Sequence, residues 1–120
     1  MRAKIFFIEK KGAERCKVGD VVLYRRKRQY VLHRIIEVRA EDYVMLGDNC
    51  AVKEYGITDK NILGIMTSYT RSGVEHSINS LGYKIYTFLI MHTIGARIFL
   101  KKLLYKFKRI IKIFIYHEKK

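Results

Sequence analysis

His33 and Asp48 are the side chains of this sequence best suited to moving a proton. An imidazole titrates near neutral pH and can act as a general base, and a carboxylate can fix its tautomer and stabilise the imidazolium. His33 lies in the strand-like run YVLHRIIEV (30–38), and Asp48 lies in the Gly-Asp-Asn turn that ends YVMLGDN (43–49). Together they would supply two of the three parts of a hydrolytic triad. The third part is missing: no serine precedes Ser68, and Ser68, Ser72, Ser77 and Ser80 all follow both base and acid. Spacing alone does not bring His33 to Asp48, because the two meet only if the register of their hairpin allows it.

The two cysteines add little by spacing. Cys16 and Cys50 lie 34 positions apart with no CxxC pair, so neither a zinc ribbon nor a disulfide framework is indicated. A reducing compartment is the expectation, and no cofactor or metal-ligand motif is present. Cys16 could serve as a thiol nucleophile, but reads better as a small residue at a strand end.

The elements that must position these groups are short. KIFFIE (4–9), DVVLYRR (20–26), YVLHRIIEV, YVMLGD, ILGIMTSYTR (62–71) and VEHSI (74–78) are β-like runs. Turn chemistry separates them at Gly19-Asp20, at RKR with Gln29, at Ala40-Glu41-Asp42 and at Ser72-Gly73, while 49–59 reads as a loop. Five or six antiparallel strands in a small barrel or folded sheet are expected over residues 1–78.

At Asn79-Ser80 the pattern changes. A good N-cap precedes apolar positions spaced by three and four, with lysines between them, and predicts one or two amphipathic helices over residues 79–120. The chain has 120 residues, with 25 Lys plus Arg, 11 Asp plus Glu and a formal charge of +14. Residues 80–120 carry ten basic side chains against Glu118 alone, so the excess is concentrated in this tail. Its longest uncharged run, Ile85 to Ala96, has twelve residues, short of the roughly 20 that a span requires. A full crossing would have to accept charges at about 2.5–3.5 kcal/mol each near the centre. An apolar face opposite a lysine-rich one instead predicts an interfacial helix on an anionic membrane surface through residues 80–116. The competing reading packs that apolar face on the sheet and leaves the lysines solvated. The N-terminus lacks the apolar core of a signal peptide.

A basic chain also raises nucleic acid. Arg25, Arg26, Lys27 and Arg28 beside Tyr24 and Tyr30 could contact phosphates and stack bases. No helix-turn-helix, zinc-finger or RNP-type pattern accompanies them, and a hairpin tip kept soluble by charge explains the same residues.

Four blocks, in order, resemble the signal peptidase clan of serine peptidases, which includes self-cleaving repressors of the LexA type. They are Gly19-Asp20, His33-Arg34-Ile35-Ile36, Gly47-Asp48-Asn49 and Ile62-Leu63-Gly64-Ile65, covering residues 17–66. The histidine is similar to the branch, including eukaryotic and archaeal signal peptidases, that has histidine where the common bacterial enzymes have lysine. The short form with a basic helical C-terminus also resembles small bacterial peptidases of the S24/S26 type.

The resemblance implies a signal peptidase-like β fold and cleavage of extended leader or precursor peptides by acyl transfer. His33 would be the base, Asp48 its orienting carboxylate and Glu54 a second acidic residue, with Asp59 an alternative. Asn49 would fix the turn. The family's Ser-Met-x-Pro-like nucleophile block is absent, and the chain has no proline. Either the chain is a shortened form whose serine block lies upstream, as a start in mid-sheet suggests, or it is an inactive relative that binds peptides or membranes. Both predict no serine-dependent proteolysis by this polypeptide. A peripheral membrane location is expected. The cysteines and the basic tail fit a cytoplasmic face, whereas true signal peptidases act on the opposite one.

Overall fold

A computed structural model describes residues 4–118 of the chain, with side chains through residue 115. It is mainly β: seven antiparallel strands form one open sheet, followed by two helices. The strands are β1 (Lys4–Lys10), β2 (Val21–Arg26), β3 (Gln29–Val38), β4 (Tyr43–Leu46), β5 (Glu54–Ile57), β6 (Ile62–Arg71) and β7 (Val74–Ser77). The helices are α1 (Leu81–His92) and α2 (Ile94–Glu118). The sheet order is β1-β6-β2-β3-β4-β5, with β7 also paired to β6.

Local chemistry explains the turns. Arg26 pairs with Gln29 across a two-residue reversal in which Lys27 takes φ 55°. Arg71 pairs with Val74 across Ser72 (φ 54°) and Gly73 (φ 79°), the left-handed pair that matches the twist of a tight hairpin. The 49–59 segment, expected as a loop, contains β5. Its EYGI carries no clean alternation, and pairing with β4, which is buried along its whole length, makes it a strand.

One face of the sheet holds the core. Val22 and Tyr24 of β2, Ile35 of β3, Tyr43 and Met45 of β4, Ile57 and Ile62 pack together with Cys16. Cys16 is therefore a buried core residue in the loop before β2. Its amide donates to the Tyr43 hydroxyl at 3.0 Å, and burial pushes its thiol pKa up, which disfavours a thiolate nucleophile there. Gly64 lets β1 approach: a Cβ at that position would lie 2.3 Å from Ile8 and 2.8 Å from the Glu9 carbonyl oxygen.

Side-chain parity along the strands decides what faces the core. His33 pairs with Val22, and Ile35 with Met45, so His33 shares the core face with Tyr24 and Met45. Arg34 points to the opposite face, where it meets α1. Asn79 and Ser80 lead into that helix, and Ser80 caps it by accepting from the Tyr83 amide at 3.2 Å.

Candidate functional site

The site forms where β3 and the Gly47-Asp48-Asn49 turn meet α1. A cleft of about 610 Å3 opens there, lined by His33, Asp48, Asn49, Tyr69, Tyr83 and Tyr86 among others. The aromatic rings form its walls, with Tyr83 6.2 Å from Tyr69 and 6.3 Å from Tyr86 between centroids.

Asp48 does not orient His33. It is held by Arg34, whose Nε donates to Oδ1 and whose Nη2 donates to Oδ2, each at 2.8 Å. The reason is parity: Asp48 lies two residues beyond Leu46, which pairs with Arg34, so carboxylate and guanidinium share one face while His33 looks the other way. Arg34 is 2 % exposed, and its Nη1 donates to the Gly19 carbonyl at 2.8 Å, Thr87 at 3.2 Å and Tyr83 at 3.4 Å. Tyr86 donates to Asp48 Oδ2 at 2.9 Å. Burial pushes the Asp48 carboxyl up, but the Arg34 hydrogen bonds and charge, with Tyr86 and Arg97, bring it below the ordinary aspartate value. Burial first, and then the Asp48 charge and hydrogen bond, push the Tyr86 hydroxyl up to about 12. This ion pair fastens β3, the turn and α1 together.

His33 is oriented instead by Tyr24 and Glu54. Tyr24, fully buried on β2, donates its single hydroxyl proton to Glu54 Oε1. Its oxygen is then left to accept from His33 Nδ1, 3.2 Å away. The proton therefore sits on Nδ1, and Nε2 keeps its lone pair, the tautomer a general base needs. Glu54 is also bound by Arg26 Nη1 at 2.8 Å. Burial raises the Glu54 carboxyl, yet Tyr24 and Arg26 bring it below its usual value, so it remains an acceptor. Burial lowers the His33 pKa, Arg26 adds to that, and Glu54 and Asp48 oppose it; the imidazole is neutral at pH 7.

The sequence thus named His33 and Glu54, which the fold brings together, and Asp48, which it assigns to a neighbouring ion pair. Tyr24 was missed as a member of the site. Its signal was available in retrospect: β2 and β3 are in register, and Tyr24 lies two positions along from the residue opposite His33. Asp59 serves elsewhere, accepting from Tyr43 at 2.6 Å and facing Lys11 and Arg15. Asn49 does not simply close its own turn; its carbonyl and Oδ1 accept from Lys101 of α2 at 2.6 and 2.8 Å.

The serines are engaged in structure. Ser68 is buried on β6, Ser77 accepts from the Asn79 amide, Ser80 caps α1, and Ser72 occupies the β6–β7 turn. Among the described residues, His33 makes its side-chain contacts to Tyr24 and, on the Nε2 side, to Cys50 at 4.0 Å.

Comparison with models of known families, with characterised proteins and with solved structures finds no match to this chain.

Proposed function

We propose that this chain is a signal peptidase-like protein that rests on an anionic membrane surface, holds an extended precursor peptide beside His33, and performs no serine-dependent cleavage. The observation that carries this reading is the His33–Tyr24–Glu54 chain, of which His33 lines the cleft. A buried tyrosine and a carboxylate are used to leave Nε2 of one imidazole unprotonated, an arrangement suited to acyl-transfer chemistry. The four sequence blocks supply the family likeness. The cleft, with its three tyrosines and polar backbone turn, suits a peptide with small apolar side chains.

The membrane part rests on α2. Among the described residues, no helix is long and apolar enough to cross a membrane. At about 100° per residue, Phe99, Leu103, Phe107, Ile110, Ile111 and Phe114 fall within one sector of about 120°. Arg97, Lys101, Lys102, Lys108, Arg109 and Lys112 take the opposite half-turn. All six apolar residues are exposed, so the sheet does not cover them, and this favours the interfacial reading over packing on the core.

Titration of a leader-type peptide with small residues into isotope-labelled protein should shift the amides of His33, Asn49 and Tyr83 and leave the peptide's mass unchanged. Cleavage that disappears in His33→Ala would overturn the inactive assignment. Absence of shifts at the cleft would remove the peptide. Flotation with anionic vesicles should be lost on truncation after Gly82, whereas equal flotation of the truncated chain would remove the tail as the anchor.

A further inference from the structure

We propose that Cys50 is a nucleophilic thiol served by His33, and that it exchanges with small acidic disulfides to form a reversible mixed disulfide beside the cleft. Cys50 is a free, half-buried cysteine whose Sγ lies 4.0 Å from His33 Nε2. That is the long end of a sulfur hydrogen bond, as is common for nucleophile and base before a reactant is bound.

Three features of the surroundings build this pair. Tyr24 and Glu54 keep the proton on Nδ1, so the nitrogen facing the thiol is the basic one. Gly47 makes the approach possible: a Cβ there would lie 2.6 Å from Cys50 Sγ and 2.9 Å from the His33 ring. The turn is also pinned, with the Cys50 amide donating to the Gly47 carbonyl at 2.9 Å and Lys101 holding Asn49. Cys16 shows the contrast within the same molecule, being buried in the core, where burial pushes its thiol pKa up.

In the step, the Cys50 proton passes to His33 Nε2, and the thiolate attacks one sulfur of the disulfide. A new S–S bond to Cys50 forms as the reagent's own S–S bond breaks. The departing thiolate takes the proton back from the imidazolium, leaving neutral His33 and one free thiol. A formal charge of +14, with Lys101 bound to the adjacent residue, favours an anionic reagent. The adduct occupies the Nε2 side of His33, so thiolation withdraws the base reversibly. That consequence for a bound peptide rests on the function proposed above, whereas the thiol chemistry does not.

The test uses the full chain, oxidised glutathione and iodoacetamide at pH 7, with adducts mapped by mass spectrometry. Native Cys50 should react at least ten-fold faster than Cys16, and at least five-fold faster than the same Cys50 in urea, where the base is no longer beside it. His33→Gln should slow native Cys50 at least five-fold. Cys16 reports on folding in each sample, since its alkylation rises if the core opens, and in that case the native-to-urea ratio of the unaltered chain decides. A native rate equal to or below the urea rate would overturn the proposal, as would an unchanged rate in a folded His33→Gln protein. Neither readout involves peptide binding, so failure here leaves the peptide reading separately testable.

Discussion

Arg34 grips Asp48 with two parallel hydrogen bonds of 2.8 Å while its remaining donors reach Gly19, Tyr83 and Thr87. A planar guanidinium can satisfy this fork and an ammonium cannot. Arg34→Ala removes the cation and leaves a partly buried carboxylate without its partner. Breaking such a pair costs about 3–5 kcal/mol when both groups are buried. Asp48 keeps 28 % side-chain exposure, so a loss of about 3 kcal/mol is expected. Arg34→Lys should recover only a minor part of it. Urea denaturation would measure both, and a loss below about 1 kcal/mol for Arg34→Ala would show that the pair does not fasten α1 to the sheet.

The same network predicts acid sensitivity in two stages. His33 has a folded pKa below its ordinary 6.5, so as pH falls through 6.5 the unfolded chain takes up a proton that the folded chain refuses. Stability therefore declines from that point until the folded pKa is passed. Asp48 and Glu54 are also lowered, from 3.8 and 4.5, but for carboxylates this adds stability above those values, which is lost as pH falls through the folded pKa values. The denaturation midpoint should thus begin to drop as pH falls below about 6.5, from His33, and drop further below about pH 4.5, from the carboxylates. In His33→Gln the first drop should flatten while the second remains. A His33→Gln curve parallel to the parent's across pH 7 to 5 would mean that the imidazole is not held neutral by its site.

How much of this was legible in advance follows from strand parity. Alternating apolar runs and turn residues gave six of the strands, because Val22, Tyr24, Ile35 and Met45 recur on one face and Ser72-Gly73 fits a tight hairpin. β5 escaped because Glu54 and Gly56 interrupt any alternation, and only β4 makes a strand of it. The same omission hid the partner of His33. Glu54 pairs with Met45, and Met45 with Ile35, which places Glu54 on the core face together with His33. Asp48, two residues beyond Leu46, falls on the face of Arg34. Residue type and order therefore identified the titratable groups, whereas the partner of each depended on a register the sequence did not declare.

The link between tail and site yields a last prediction. Arg97 Nη1 donates to the Asp48 carbonyl at 2.8 Å, and its Nη2 donates to the Ile90 carbonyl at 2.7 Å. Lys101 binds Asn49 one turn further along α2. The basic side of the helix thus holds the Gly47-Asp48-Asn49 turn, while Phe99, Phe107 and Phe114 stay exposed. Each such hydrogen bond contributes about 1 kcal/mol, so Arg97→Ala should raise the opening of the turn roughly five-fold. Hydrogen exchange would show this at the Cys50 amide, which donates to the Gly47 carbonyl. The Ile35 amide, bound to the Asp20 carbonyl within the sheet, should exchange as before. Adding Lys101→Ala should increase the effect at Cys50 and still spare Ile35. Unchanged exchange at Cys50 in the double variant would mean that α2 rests on the turn without restraining it, and that the position of the helix has no hold on the residues around His33.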